Sequence, residues 1–287
     1  MTAPELTAES LVAGVKDLVT LPDVAMRIAR MVNDPTASAS DIGREIGRDA
    51  ALTARLLRIA NSPSFGQYGK IATVSRAITV LGVRQVRDLT VGLTAVRAFD
   101  GISNELVTME SFWRHSLLCA VAAAHIAAHR GAEPGESAFV AGLLHDIGQL
   151  VLFSRAQNEE REALLMSIDA SDDLALYQCE QRVLGFDHAA VGWALARNWG
   201  LPPSLQACIG MHHEPDRAQA FQSEVATVHV ANSIAVLAEI DSRDPLDAAP
   251  MAASALNICR LDAGNLTNLI LQTRESAEEL LPLLVAA

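Results

Sequence analysis

Apolar residues recur along this chain at helical spacing, and no stretch of 4 to 8 residues alternates convincingly between apolar and polar side chains. The pattern predicts an all-α fold. In LPDVAMRIARMVND, Val24, Ile28 and Met31 share one face, Pro22 stands at the start and Asn33-Asp34-Pro35 ends the element. Ser38 with Asp41 three residues later is a capping signal for SDIGREIGRD. Asp49 is placed to cap ALTARLLRIANS, which turns Leu52, Leu56 and Ile59 inward and Arg55 and Arg58 outward. The turn residues of NSPSFGQYGK separate that helix from TVSRAITVLG and VRQVRDLTVGLTAVRAF, so five helices fill residues 20–99.

Beyond the polar stretch DGISNELVTME the pattern changes. SFWRHSLLCAVAAAHIAAHR is apolar on nearly all sides and reads as a buried helix containing His115. The turn GAEPGE leads to GESAFVAGLLHDIGQLVLF, read as a helix containing His145 and Asp146. Two amphipathic helices are expected across 158–184, and GFDHAAVGWALARNWGLPP starts at an Asp187 cap and stops at Gly200. Further helices follow around 203–213, 223–240 and in the C-terminal part. The expected organisation is a helical extension over 1–17, a first lobe over 18–105 and a second over 106–287.

Buried imidazoles and carboxylates need partners, since an unpaired carboxylate away from water costs several kcal/mol or is neutralised. His115, His145, Asp146, His188, His212 and His213 raise that demand together, and either a shared cation or mutual hydrogen bonding satisfies it. A divalent ion among such ligands polarises phosphoryl oxygens and activates water, so phosphate chemistry is the first functional class to consider. His125 and His129, spaced by one helical turn in Ala-rich sequence, read as structural or solvent-facing.

At 287 residues and 50% apolar composition the chain can bury a sizeable core. Cys119, Cys179, Cys208 and Cys259 form no C-x-x-C pair, which argues against cysteine-held zinc and for reduced thiols. No secretory signal or membrane span is expected, and the chain reads as cytoplasmic. The net charge of −12 is unevenly spread: residues 18–99 hold 11 Arg or Lys against 6 Asp or Glu, and the remainder 11 against 28. The arginines of the first part are scattered, with only Phe65 and Tyr68 available for stacking on bases, so nucleic acid is not an expected partner.

The chain resembles the HD superfamily of metal-dependent phosphohydrolases, and more closely its HDOD branch, from about residue 18 to about 240. The resemblance rests on LPDVAMRIARMVNDPTASASDIGREIGRDAALTARLLRIANSPSFG and AITVLGVRQVRDL in the first part, then on WRHS, AFVAGLLHDIGQL, E-x-x-x-LGFDHAAVGWALARNWGLP and HHEP. It implies a two-lobed helical fold with an HD-like core in the second lobe. It also implies metal ligands at His115, His145 and Asp146, further histidines at His188, His212 and His213, and Asn232 where active relatives carry an aspartate. Ser111 stands where HD-GYP phosphodiesterases have glutamate, Gln149 stands where they have lysine, and HHEPDRAQAF lacks their DG-x-GYP element.

HDOD proteins are bacterial regulatory modules, most of them thought to lack hydrolase activity. The resemblance therefore implies a signalling module acting on signalling proteins in trans or on a nucleotide or cyclic-dinucleotide ligand. Its degenerate metal pocket would take one divalent ion, Fe, Mn, Zn or Mg. The alternative is a metal-dependent phosphohydrolase of nucleotides or cyclic dinucleotides, with His145 and Asp146 at the reacting centre.

Overall fold

Caps legible in the sequence fix the ends of the first helices. The computed structural model describes residues 7–15, 21–34, 36–65, 70–99, 107–132, 136–155, 173–248 and 250–285. Among these residues there are helices and no strand. Helix α1 spans Ala8–Val15 and α2 spans Asp23–Asn33, with Pro22 as the residue just ahead of α2. At α3 (Ala39–Ile46) the Ser38 hydroxyl accepts from Asp41 N–H while the Asp41 carboxylate accepts from Ser38 N–H, a reciprocal cap. At α4 (Ala50–Ala60) one Asp49 oxygen accepts from Leu52 N–H at 2.8 Å, and the other holds Arg97 at 2.8 Å.

Asn61 locks the turn after α4. Its amide nitrogen donates to the carbonyls of Leu57 and Ile71, and its oxygen accepts from Ile71 N–H at 2.8 Å. Residues 66–69 of that turn lie outside the described residues. Helices α5 (Val74–Leu81) and α6 (Val83–Ala98) meet at Gly82, whose φ of 90° lets the chain reverse with no intervening loop. Helices α2 to α6 pack on one another and form the first lobe.

The second lobe is built around α7 (Met109–Arg130), which packs against α8 (Ala138–Leu144), α13 (Gln222–Glu239) and α15 (Ala263–Val285). Around this centre lie α9 (Ile147–Arg155), α10 (Asp173–Leu184), α11 (His188–Asn198), α12 (Pro203–Met211) and α14 (Ala253–Cys259). The expected polar boundary falls largely on 100–106, and the first of the two helices expected over 158–184 falls largely on 156–172; both stretches lie outside the described residues. Helix α1 packs on α9 and α11, so the start of the chain joins the second lobe. Helix α6 lies against α8, with Gly92 facing Val140 and Leu143, and one apolar core runs through both lobes. No helix among the described residues is long and apolar enough to cross a membrane.

The sequence reading differs at one functional point. GESAFVAGLLHDIGQLVLF is not a single helix: α8 stops at Leu144, His145 and Asp146 form a turn, and α9 begins at Ile147. Apolar residues on every side of this segment hide the break, because periodicity marks a face only when the opposite face is polar.

Candidate metal centre

The break in the helix is what turns two adjacent side chains into one pocket. His145 closes the end of α8, where its Nδ1–H donates to the Gly142 carbonyl at 2.8 Å, one of the carbonyls a helix C-terminus leaves without a partner. His212 repeats the device at the end of α12, with Nδ1–H donating to the Ile209 carbonyl at 2.9 Å. His188 opens α11 beside the Asp187 cap, and its Nδ1–H donates to Glu180 Oε2 at 2.6 Å. His115, on α7, donates from Nδ1 to Glu239 Oε2 at 3.1 Å. Each of these four rings is anchored at Nδ1 and presents Nε2 to the same interior, the tautomer and orientation that metal-binding imidazoles adopt.

Asp146 stands at the centre. Its Oδ1 lies 3.3 Å from Nε2 of both His188 and His212, while its Oδ2 lies 3.2 Å from His145 Nε2 and 3.7 Å from His115 Nε2. Two ligand groups result and share the carboxylate: Asp146, His188, His212 and His213 on one side, and His115, His145 and Asp146 on the other, the atoms of each group lying within 4.8 Å of one another. His213 Nε2 lies 2.9 Å from His188 Nε2. Asn232 joins the second group, its Oδ1 lying 2.9 Å from His115 Nε2 and 3.3 Å from His145 Nε2. All seven sequence-expected positions thus converge.

The electrostatics divide the histidines. Burial opposes charge on His188, but the carboxylates of Glu180 and Asp146 outweigh it and hold this imidazole protonated well above its usual range. Burial likewise opposes charge on His145, and Asp146 and Cys119 lift it well above that range. His115 is raised to about 9, burial being overcome by the Glu239 carboxylate. Asp146, despite burial, is held ionised chiefly by the charge of His145, with His188 adding to it. Burial pushes His212 down, and burial together with the neighbouring His212 and His188 pushes His213 well down, so both rings are held neutral.

A divalent cation fits this arrangement on an observation independent of any relative. Asp146 Oδ1 and His212 Nε2 are both buried and lack a hydrogen-bond partner, although they face each other. Orphaned atoms of this kind are rare in folded proteins and call for an ion or water between them. The donor set, imidazole with one carboxylate, suits Fe, Mn or Zn better than Mg, which prefers oxygen.

Glycines let the helices come close enough. A Cβ on Gly148 would fall 2.0 Å from the His188 carbonyl oxygen and 2.4 Å from the Gly192 nitrogen, so only glycine allows α9 to touch the start of α11 and bring Asp146 to His188.

Sequence reasoning assigned no role to Glu180 and Glu239. Glu180 is the acidic residue of E-x-x-x-LGFDH and also accepts from His188 N–H at 2.8 Å, so the motif carried the signal without its meaning. Glu239 meets His115 across 124 residues, where no local spacing could announce it. His229 buttresses the site: its Nδ1–H donates to the His212 carbonyl at 2.7 Å and its Nε2 accepts from Ala252 N–H. His129 bonds the Arg260 carbonyl, away from the pocket.

Comparison with known proteins gives the same frame. An uncharacterized protein of Treponema pallidum (strain Nichols) is 26% identical over 274 residues, and the chain, matched over 95% of its own length, spans 52% of that relative, about half. Among solved structures, an HDOD domain protein of unknown function from Geobacter sulfurreducens is 25% identical, with a TM-score of 0.69 over 95% of this chain and 98% of the other. A protein from Shewanella amazonensis SB2B, named as a candidate phosphohydrolase, shares the fold with a TM-score of 0.72 at 24% identity, over 96% and 98% of the two chains. With the HDOD domain profile matching residues 18–215 and the helices and His/Asp pocket arranged as described, the chain belongs to the HDOD domain family.

Proposed function

We propose that this chain is a regulatory HDOD module that holds one divalent metal ion in its His/Asp pocket, acts through binding, and hydrolyses phosphodiesters little or not at all. The observation that carries this reading is burial. The side chains of His145, Asp146, His188 and His212 are 0, 3, 0 and 0% exposed. Metal sites sealed by protein ligands hold structure together, whereas catalytic ones keep a position open for water and substrate. The ion would sit among His188, His212, His213 and Asp146. There it would supply the positive charge that lets buried neutral imidazoles and a carboxylate share one interior.

The residues that would handle a transferring phosphoryl group are the ones missing. Gln149 supplies no cation for developing negative charge, and Asn232 offers a neutral oxygen in place of a carboxylate. Signalling proteins recognising the helical surfaces in trans are the proposed partners. The test is hydrolysis of bis(p-nitrophenyl) phosphate and of a cyclic dinucleotide with manganese or ferrous iron, comparing wild type with His145→Ala/Asp146→Ala. Equal background rates support the module; metal-dependent turnover lost in the double variant overturns it.

One observation favours the second reading, a metal-dependent phosphohydrolase. Glu180 and Glu239 stand behind His188 and His115, so the pocket holds more negative charge than its single direct carboxylate suggests. Such charge helps two ligand groups that share Asp146 to hold two ions, the arrangement that clamps both oxygens of a displacement.

A further inference from the structure

At the other end of the second-lobe helices lies a polar cleft of about 740 Å³, inside the roughly 300–1,000 Å³ of small-molecule sites. It opens between the lobes. The first lobe contributes Arg84 and Arg87 from α6; the second contributes Arg130 at the end of α7, Phe221 and Ser223 at the start of α13, and Arg260 after α14. Ser137, at the start of α8, also lines it, and the length of α8 puts His145 about 12 Å further along the helix axis. This cleft is therefore distinct from the His/Asp pocket, and nothing about it depends on metal being held there.

Charge accounting shows what the cleft lacks. Asp88 is taken by Arg87 at 2.5 Å and by the Ser137 hydroxyl, and Glu136 is taken by Arg130. Arg84 and Arg260 make no side-chain hydrogen bond or ion pair among the described residues, and of the described carboxylates lining the cleft only Glu224 is left over. Two arginines from different lobes thus line one concave surface with no ion-pair partner among the described residues, an arrangement suited to an anion bearing several oxygens.

The same cleft gathers exposed apolar surface. Of the four large apolar side chains exposed among the described residues, Phe221 and Ile258 both line it, each 38% exposed. Phe221 and Arg260 both hold φ at 58°, Phe221 as the cap before α13 and Arg260 as the left-handed cap that ends α14, so helix ends set both side chains at the cleft. An exposed aromatic ring lining the same cleft as guanidinium groups without a side-chain partner among the described residues suits a ligand with a flat ring at one end and a phosphate at the other.

We infer that the cleft between the lobes, lined by Arg84, Arg260 and Phe221, binds a nucleoside phosphate and does so independently of the His/Asp pocket. Because its arginines come from both lobes, the ligand would bridge them, and α7, α8, α12 and α13 would connect the occupied cleft to the pocket at their far ends.

The test is isothermal titration of the full chain with ADP, GDP, CDP and UDP in turn, with EDTA present so that a metal-held phosphate contributes nothing. At least one diphosphate should bind, and Arg84→Ala and Arg260→Ala should each weaken it by about tenfold or more. Phe221→Gly should weaken binding while keeping or raising the melting temperature, since glycine adopts the left-handed conformation without strain. Thermal melts of the arginine variants check that these exposed positions leave the fold intact. Binding of none of the four, or affinity indifferent to all three substitutions, overturns the inference. Pyrophosphate binding as tightly as every diphosphate, with Phe221→Gly without effect, reduces the cleft to an anion site and overturns the nucleoside assignment.

Discussion

The two halves of the pocket share Asp146 and differ in what stands behind their imidazoles. On one side His188 is backed by Glu180, both fully buried, and His212 and His213 add further nitrogens. On the other side His115 is 18% exposed, its partner Glu239 is 30% exposed, and the remaining oxygen comes from the neutral amide of Asn232. A dry, carboxylate-backed imidazole is held in one tautomer and one direction, while an exposed pair is weakened by water and salt. The comparison shows that the His188 half is dry and carboxylate-backed and that the His115 half is the more exposed, with a neutral amide among its oxygens.

The largest effect is expected where the halves meet. Among the described residues Asp146 is the one carboxylate facing both halves, and Asp146→Ala leaves the protonated His145 buried without that counter-charge while His188 keeps only Glu180, which costs about 3–5 kcal/mol for a broken buried pair. Chemical denaturation should show that loss, with metal content falling to background. A smaller substitution separates the halves: His213→Ala should empty the site, while His115→Ala should leave the bound ion in place, as read by elemental analysis of each purified variant. The reverse result would assign the ion to the wrong half in this account.

Next comes the support behind the ligands. Glu180→Gln should weaken metal binding by about 10- to 100-fold, and Glu239→Gln should do so by less, in competition titrations against a chromogenic chelator. Asn232→Asp should restore charge to the poorer half and raise the stoichiometry from one ion to two. The smallest effect is on protons. His145 and His188 are held protonated in the metal-free pocket, and an ion needs their lone pairs, so an ion that recruits either ring releases protons and binds more tightly as pH rises. Titration in buffers of different ionisation enthalpy measures that release.

The two lobes also show why some of this was legible in the sequence. In the first lobe, α2 to α4 carry polar faces and local caps, so Ser38, Asp41 and Asp49 could be read for what they do within three residues of themselves. In the second lobe α7, α8 and α13 are apolar on most sides, and periodicity neither marks their inner face nor reveals the break at His145. What stands out there is the misfit of histidines and an aspartate in apolar helices, which demands partners without saying where they lie. The resemblance supplied the convergence of His115, His145, Asp146, His188, His212, His213 and Asn232. The acidic residues behind the rings were hidden for a physical reason: Glu180 and Glu239 look like ordinary helix-surface residues until the fold buries one and brings the other across the bundle.

The sharing of Asp146 between an ion-holding half and a depleted half is tested most directly by elemental analysis of the protein purified without added metal, beside Asp146→Ala prepared in the same way. The account predicts one equivalent of a transition metal, iron, manganese or zinc, in the wild type and none in the variant. Wild-type protein without metal that keeps its fold would show that the imidazoles and Asp146 satisfy one another by hydrogen bonds alone, and would contradict it.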